Sequence, residues 1–166
     1  VTSGIGSVYY DGTDDKVSFF SSDTDISTPN GTTVIIGFKL PTANNNKVIA
    51  SIGAEDLSLE TRIDNVFRLV IDGKAVFSTN TYSTTAYNIA MGYAKDTTDK
   101  VTLVFNDTTF TGTVAPTSSR LDLQNEHVTF DSTPAIYISQ FVLIDRLLTT
   151  TEKTELTNFV KAKSGL

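Results

Sequence analysis

Apolar side chains recur at every second residue through most of this chain, a spacing that admits strands and resists helices. Val101, Leu103 and Phe105 point one way along the run Lys100 to Asn106, and Tyr87 to Ala94 alternates in the same fashion. Thr33 to Leu40 (TVIIGFKL) is nearly continuous in apolar residues and stops at Pro41, which predicts a central strand buried on both faces. Val66 to Ile71 and Ala75 to Ser78 flank Asp72-Gly73, the strongest hairpin signal in the chain. Further strands are expected at Ser7 to Tyr10, Lys16 to Phe20, Lys47 to Ile52, around Leu57 and Leu59, at Phe110 to Val114 and at Ile136 to Ile144. The first two read as strand, turn, strand about Asp11 to Asp15. Roughly ten to twelve strands at these turn spacings predict an all-β fold, an antiparallel two-sheet sandwich. No repeat or linker divides the chain, so residues 1–166 are expected to form a single domain.

One stretch breaks the pattern. Residues 140 to 163 (QFVLIDRLLTTTEKTELTNFVKAK) end on a helical signature, with Thr149 and Glu152 spaced as a capping box. Leu156, Phe159 and Val160 fall on one face at spacings of three and four, so that face is expected to be buried. The short C-terminal helix reads as a stabiliser laid on or beside the sandwich.

Composition narrows the functional classes. With 39% hydrophobic and 19% charged residues, the 166-residue chain has the makings of a real core. It contains no Cys, which excludes disulfides and thiolate metal sites, and one His makes zinc a poor fit. A net charge of −6, with 13 Lys and Arg scattered singly, argues against nucleic acid and anionic membranes as partners. No apolar run has the length of a membrane span, so no membrane insertion is expected, and the N-terminus lacks the layout of a signal peptide.

Both ends of the chain carry a resemblance. The final strand YISQFVLIDRLLT running into TTEKTEL, the opening Val8-Tyr9-Tyr10-Asp11-Gly12-Thr13-Asp14-Asp15-Lys16-Val17, and Thr33 to Leu40 between them resemble laminin-G-like, concanavalin A-like jelly-roll modules. The chain departs from that pattern in having no Trp, and in Ser139-Gln140 where an acidic residue often stands. The resemblance implies two facing antiparallel sheets that bind glycans or protein surfaces or build larger assemblies. Some relatives on the scaffold are glycanases or polysaccharide lyases. Cys-free, Thr- and Ser-rich versions resemble modules of bacteriophage tail fibres, capsid decorations and bacterial surface proteins. The expectation is therefore a non-catalytic surface module of a phage particle or cell-surface assembly, extracellular, at a virion or cell surface. Its role would be glycan or host recognition, adhesion or structural stabilisation. Its partners would be a glycan, a host-surface receptor or other structural subunits, and a homo-oligomer is compatible with each role. The alternative is a polysaccharide lyase or glycoside hydrolase on the same scaffold.

Retaining glycoside hydrolysis needs two carboxylates about 5 Å apart. The paired-acid pattern Glu-x-Asp-x-Glu does not occur; Asp56 and Glu60 come nearest, and alternation with Leu57 and Leu59 makes them solvent-facing. His127 has no nucleophile elbow to serve and is expected in a loop or at an edge. No cofactor is expected other than calcium, for which Asp11, Asp14 and Asp15 around Gly12 supply oxygen ligands, as do Asp23 and Asp25. Without a full EF-hand pattern, the same residues suit a plain turn. A sugar platform needs rings and amides; Tyr82, Tyr87 and Tyr93, with Asn80 and Asn88, form the densest such region. Arg68 and Asn44 to Asn46 lie on other rims. Asn30-Gly31-Thr32 and Asn106-Asp107-Thr108 match a glycosylation sequon.

Overall fold

The computed structural model describes residues 8–10, 16–17, 31–41, 47–52, 57–62, 65–94, 100–113, 128–129, 136–144 and 146–166. In chain order the strands are β1 (Val8–Tyr10), β2 (Lys16–Val17), β3 (Thr32–Lys39), β4 (Lys47–Ile52), β5 (Leu57–Thr61) and β6 (Val66–Ile71). They continue as β7 (Lys74–Thr81), β8 (Asn88–Ala94), β9 (Thr102–Phe105), β10 (Thr108–Thr111), β11 (Val128–Thr129) and β12 (Ile136–Ile144), and helix α1 (Thr150–Ser164) follows. They form two six-stranded sheets, ordered β1-β12-β3-β8-β9-β10 and β2-β11-β4-β5-β6-β7, with antiparallel pairing throughout. This is the all-β sandwich with a short C-terminal helix that the alternation predicts.

The core lies between the sheets. Val34, Ile36 and Phe38 of β3 and Leu103 and Phe105 of β9 face Leu57 and Leu59 of β5 and Phe67 and Leu69 of β6, all at most 1% exposed. TVIIGFKL is buried on both faces, as read, because Ile35 points away from the core into a second cluster with Ile89, Met91 and Val160. That cluster glues α1 onto the outer face of the first sheet.

Two hairpins use left-handed turn residues. Asp72 (φ 49°) and Gly73 (φ 66°) join β6 to β7, the geometry a right-twisted pair needs from a two-residue loop. Asn106 (φ 45°) and Asp107 (φ 68°) join β9 to β10 in the same way. That turn restarts the chain at Thr108, so β10 runs Thr108–Thr111 and not Phe110 to Val114 as the alternation suggested. The first two strands stand where the alternation puts them, and they belong to different sheets: β1 joins β12 in one and β2 joins β11 in the other. Their partners are distant in sequence, and those partners decide the placement.

The helix begins as predicted. Thr149 Oγ1 accepts from the Glu152 N–H at 3.3 Å, while the Glu152 carboxylate accepts from the Thr149 N–H at 2.8 Å, completing the capping box. Its stripe against the sheet is Leu156, Val160 and Ser164, four residues apart, the first half-buried and the other two buried. Phe159 departs from the expected buried face: it is 48% exposed, because one residue is a turn of roughly 100° about the helix axis from Val160. No helix among the described residues is long and apolar enough to cross a membrane.

The cap carries a pH signature. The Arg146 guanidinium donates to both Glu152 oxygens at 3.0 and 2.8 Å, and together with the Thr149 N–H and hydroxyl it pulls the carboxyl from the usual 4.5 down to about 2. A folded value below the unfolded one means the contribution is complete above about pH 4.5 and is lost as pH falls toward 2. Protection of the first-turn amides of α1, taken relative to the unstructured chain at the same pH, is therefore expected to fall across that window. Glu152→Gln should show the lower protection already at neutral pH and little further change in protection on acidification.

Candidate functional site

The most developed polar constellation sits on the outer face of the second sheet. Inward Leu59 and Leu69 oblige their neighbours to face outward, so Glu60 of β5, Arg68 of β6 and Phe77 of β7 line up in register across three strands. Opposite Phe67, β7 bulges between the pairs Val66↔Thr81 and Arg68↔Phe77. Ser78 Oγ fills that bulge, accepting from the Phe67 N–H at 3.0 Å and donating to the Asn80 carbonyl at 2.8 Å. The bulge fixes the register that brings Phe77 opposite Arg68.

Glu60 lies on the outward side of its strand but is only 8% exposed, which corrects the solvent-facing reading. Its carboxylate is enclosed by partners: Ser58 Oγ donates to Oε1 at 2.7 Å, Arg68 Nη2 forms a close ion pair with Oε2, and Arg62 Nη1 stands 3.8 Å from Oε2. Arg68 in turn places its guanidinium 5.9 Å from the Phe77 ring centroid. Its Nε is buried and has no hydrogen-bond partner among the described residues. Phe77 is 48% exposed, an aromatic face held open to solvent. The result is a ring bordered by a cation whose position an anchored carboxylate dictates.

The five candidate ligand residues do not converge. Tyr82 is 5% exposed and packs in the inter-sheet core. Asn88 is fully buried and folds the preceding loop: Oδ1 accepts from the Ser83 N–H at 2.8 Å, and Nδ2 donates to the Ser83 carbonyl at 2.8 Å. Tyr87 is half-buried in that loop. Tyr93 lies on the opposite side of the molecule from Arg68, beneath α1, with Lys153 Nζ 3.6 Å from its ring centroid. Burial pushes the Tyr93 phenol above its usual range, offset in part by a hydrogen bond with Thr102. Arg68 alone joins the constellation around Glu60. Asn80 donates to Thr108 Oγ1 at 2.8 Å, tying β7 to β10.

Asp11, Asp14, Asp15, Asp23, Asp25, Asp56 and His127 lie outside the described residues, as do Asn44 to Asn46. Among the described residues, no group of three or more His, Cys, Asp or Glu is placed to hold a metal ion. Phe77 was missed by sequence reasoning, although alternation carries the signal: with Val76 inward, its neighbour must face out.

No protein-family model matches the chain, and no curated protein matches it. Its shape, however, is shared with solved structures. The botulinum neurotoxin serotype G binding domain aligns with a TM-score of 0.62 at 13% identity, over 95% of this chain and 47% of that one. The native heptameric SAP-like pentraxin from Limulus polyphemus aligns with a TM-score of 0.58 at 12% identity, over 80% of this chain and 73% of that one. Trypanosoma rangeli sialidase gives 0.58 at 13% identity, over 81% of this chain and 23% of the enzyme. The chain thus spans about half the length of the toxin binding domain and under a quarter of the sialidase. At these identities the likeness is one of fold, and the fold is the jelly-roll sandwich.

Proposed function

We propose that the chain is a non-catalytic recognition module that binds a glycan or glycan-bearing receptor on the outer face of its second sheet. It would act outside the cell, as part of a phage tail fibre, a capsid decoration or a cell-surface assembly. The observation that carries this is Phe77, an exposed ring beside an Arg68 that Glu60 holds in place. A pyranose stacks its C–H face on such a ring, while a guanidinium preset by Glu60 donates to its hydroxyls without paying to be ordered. Neighbouring structures support the class of partner. A botulinum neurotoxin DC binding domain is solved in complex with SialylT and with rat synaptotagmin II, and the type C toxin depends upon interaction with two ganglioside molecules.

Catalysis is the weaker reading on the same surface. Both Glu60 oxygens are engaged, and the nearest described carboxylate along the strands is Asp72, four residues beyond Arg68 or about 13 Å by strand rise. Hydrolysis with retention needs about 5 Å.

A glycan array with and without calcium, run beside a polysaccharide-degradation screen, tests the proposal. Phe77→Ala is expected to weaken a glycan hit by about 10-fold or more, as an interface anchor does, with an unchanged circular dichroism spectrum. Product release that disappears in Glu60→Gln, or binding indifferent to Phe77→Ala, overturns it.

A further inference from the structure

Three charged side chains share the outer face of the second sheet beside Phe77, and they do not cancel. Glu60 is negative while Arg62 and Arg68 are both positive, so the described members of this cluster leave a positive charge in excess. Exposure sharpens the imbalance. The Glu60 side chain is 10% exposed, whereas those of Arg68 and Arg62 are 25% and 38% exposed, so solvent meets the cations and the anion lies behind them. The hairpin tip beyond Arg68 does not offset this, because Asp72 is accompanied there by Lys74. On a chain of net charge −6 the cluster is a local reversal of sign.

The two arginines are held differently. Arg68 forms the close ion pair with Glu60 and lies against the Phe77 ring. Arg62 approaches the same carboxylate only to 3.8 Å, from the end of β5, where its backbone N–H donates to the Val66 carbonyl at 2.7 Å. That backbone bond fixes where the side chain starts. The long, solvent-facing ion pair contributes little, so the guanidinium loses little by turning to another oxyanion. Glu60 would still keep Ser58 and Arg68 as partners.

We propose that the Phe77 surface selects acidic glycans, the ring stacking one sugar and Arg62 taking the carboxylate or sulfate of the next. This rests on the glycan reading of that surface and adds the charge of its ligand. Phe77 on β7 and Arg62 at the end of β5 lie two strand spacings apart, about 10 Å, so a sugar over the ring brings its neighbour in the chain to the guanidinium. A guanidinium presents parallel N–H donors that match two oxygens of either oxyanion, and such bonds are roughly twice as strong as those between neutral groups. A neutral sugar gains the stacking on Phe77 but leaves the excess charge unanswered. Arg62 is thereby the residue that sets specificity.

The test uses the full chain, labelled with ¹⁵N, and four tetrasaccharides. Hyaluronan carries carboxylates alone and keratan sulfate carries sulfates alone; the carboxyl-reduced form of the first and the desulfated form of the second are their neutral counterparts. Amide shifts at Arg62, Arg68 and Phe77 are expected to report binding about 10-fold or more tighter for an acidic form than for its counterpart, and the pair that does so identifies the oxyanion. Arg62→Gln should reduce that acidic form to the affinity of its counterpart, with an unchanged circular dichroism spectrum. Phe77→Ala should weaken acidic and neutral forms alike and leave their ratio intact. Equal binding of acidic and neutral forms, both dependent on Phe77, overturns the acidic preference and leaves the glycan reading standing. An acidic preference that survives Arg62→Gln overturns the role of Arg62. Shifts indifferent to Phe77→Ala, or none with any of the four, overturn both readings.

Discussion

Phe67→Ala is expected to lower the unfolding free energy by about 3–5 kcal/mol, the loss typical of removing a buried phenyl and leaving its space open. Phe67 is the hinge of the inter-sheet packing. It rises from β6 in the second sheet and stacks between Phe38 of β3 and Phe105 of β9, both in the first, with centroids 5.4 and 5.0 Å away. All three rings are fully buried. Because domains hold only about 5–15 kcal/mol in reserve, this one truncation removes a large share of the total. Urea unfolding reads it as a lower midpoint at unchanged slope. Phe67→Leu, which keeps most of the volume, should recover a good part of the loss. A shift under about 1 kcal/mol for the alanine variant would show that the two sheets do not meet through this ring.

Strands such as TVIIGFKL, and the turn Asp72-Gly73, were legible because the forces that make them are local: alternation chooses the face, and the left-handed turn chooses the hairpin. Pairing was legible only where neighbours in sequence are neighbours in space. Val8–Tyr10 and Lys16–Val17 could be recognised as strands, but their assignment to different sheets is made by β12 and β11, over a hundred residues on. The candidate sites follow the same division. Alternation places Glu60 and Arg68 on one outward face, yet the burial of Glu60 comes from Ser58, Arg62 and Arg68 closing round it, which spacing does not reveal. Tyr82, Asn88 and Tyr93 are close in sequence and end up in the core, in a loop-closing network and under the helix, since a strand sends alternate residues to opposite sides. Asp107 and Lys161 stand 54 residues apart, and no local pattern links them. The helix cap is the opposite case: Thr149 and Glu152 are three residues apart, and the sequence alone announces their bond.

Gly37→Ala is expected to loosen the far half of α1 and to cost about 1–3 kcal/mol, the range for forcing one carbon into a packed site. Gly37 sits on the outer face of β3, where its missing side chain lets the helix approach. A Cβ there would collide with Ser139 Oγ, lie 2.6 Å from Ser164 Oγ and 3.0 Å from Val160 Cγ1. The two serines cannot easily yield, because they share a buried hydrogen bond of 2.6 Å and Ser139 also donates to the Gly37 carbonyl at 3.1 Å. Ser139 is available for this because β12 bulges there, between the pairs Ile138↔Phe38 and Gln140↔Gly37. Strain at this point should fall on the helix before the sandwich, since α1 is held by the small cluster around Val160 and not by the inter-sheet core. Hydrogen exchange separates the two: amides from Val160 to Gly165 should lose protection while those of β5 and β6 keep theirs. Ser164→Ala in the Gly37→Ala background should restore part of that protection by removing one colliding oxygen. Full protection in Gly37→Ala itself would mean that the helix does not rest on this glycine.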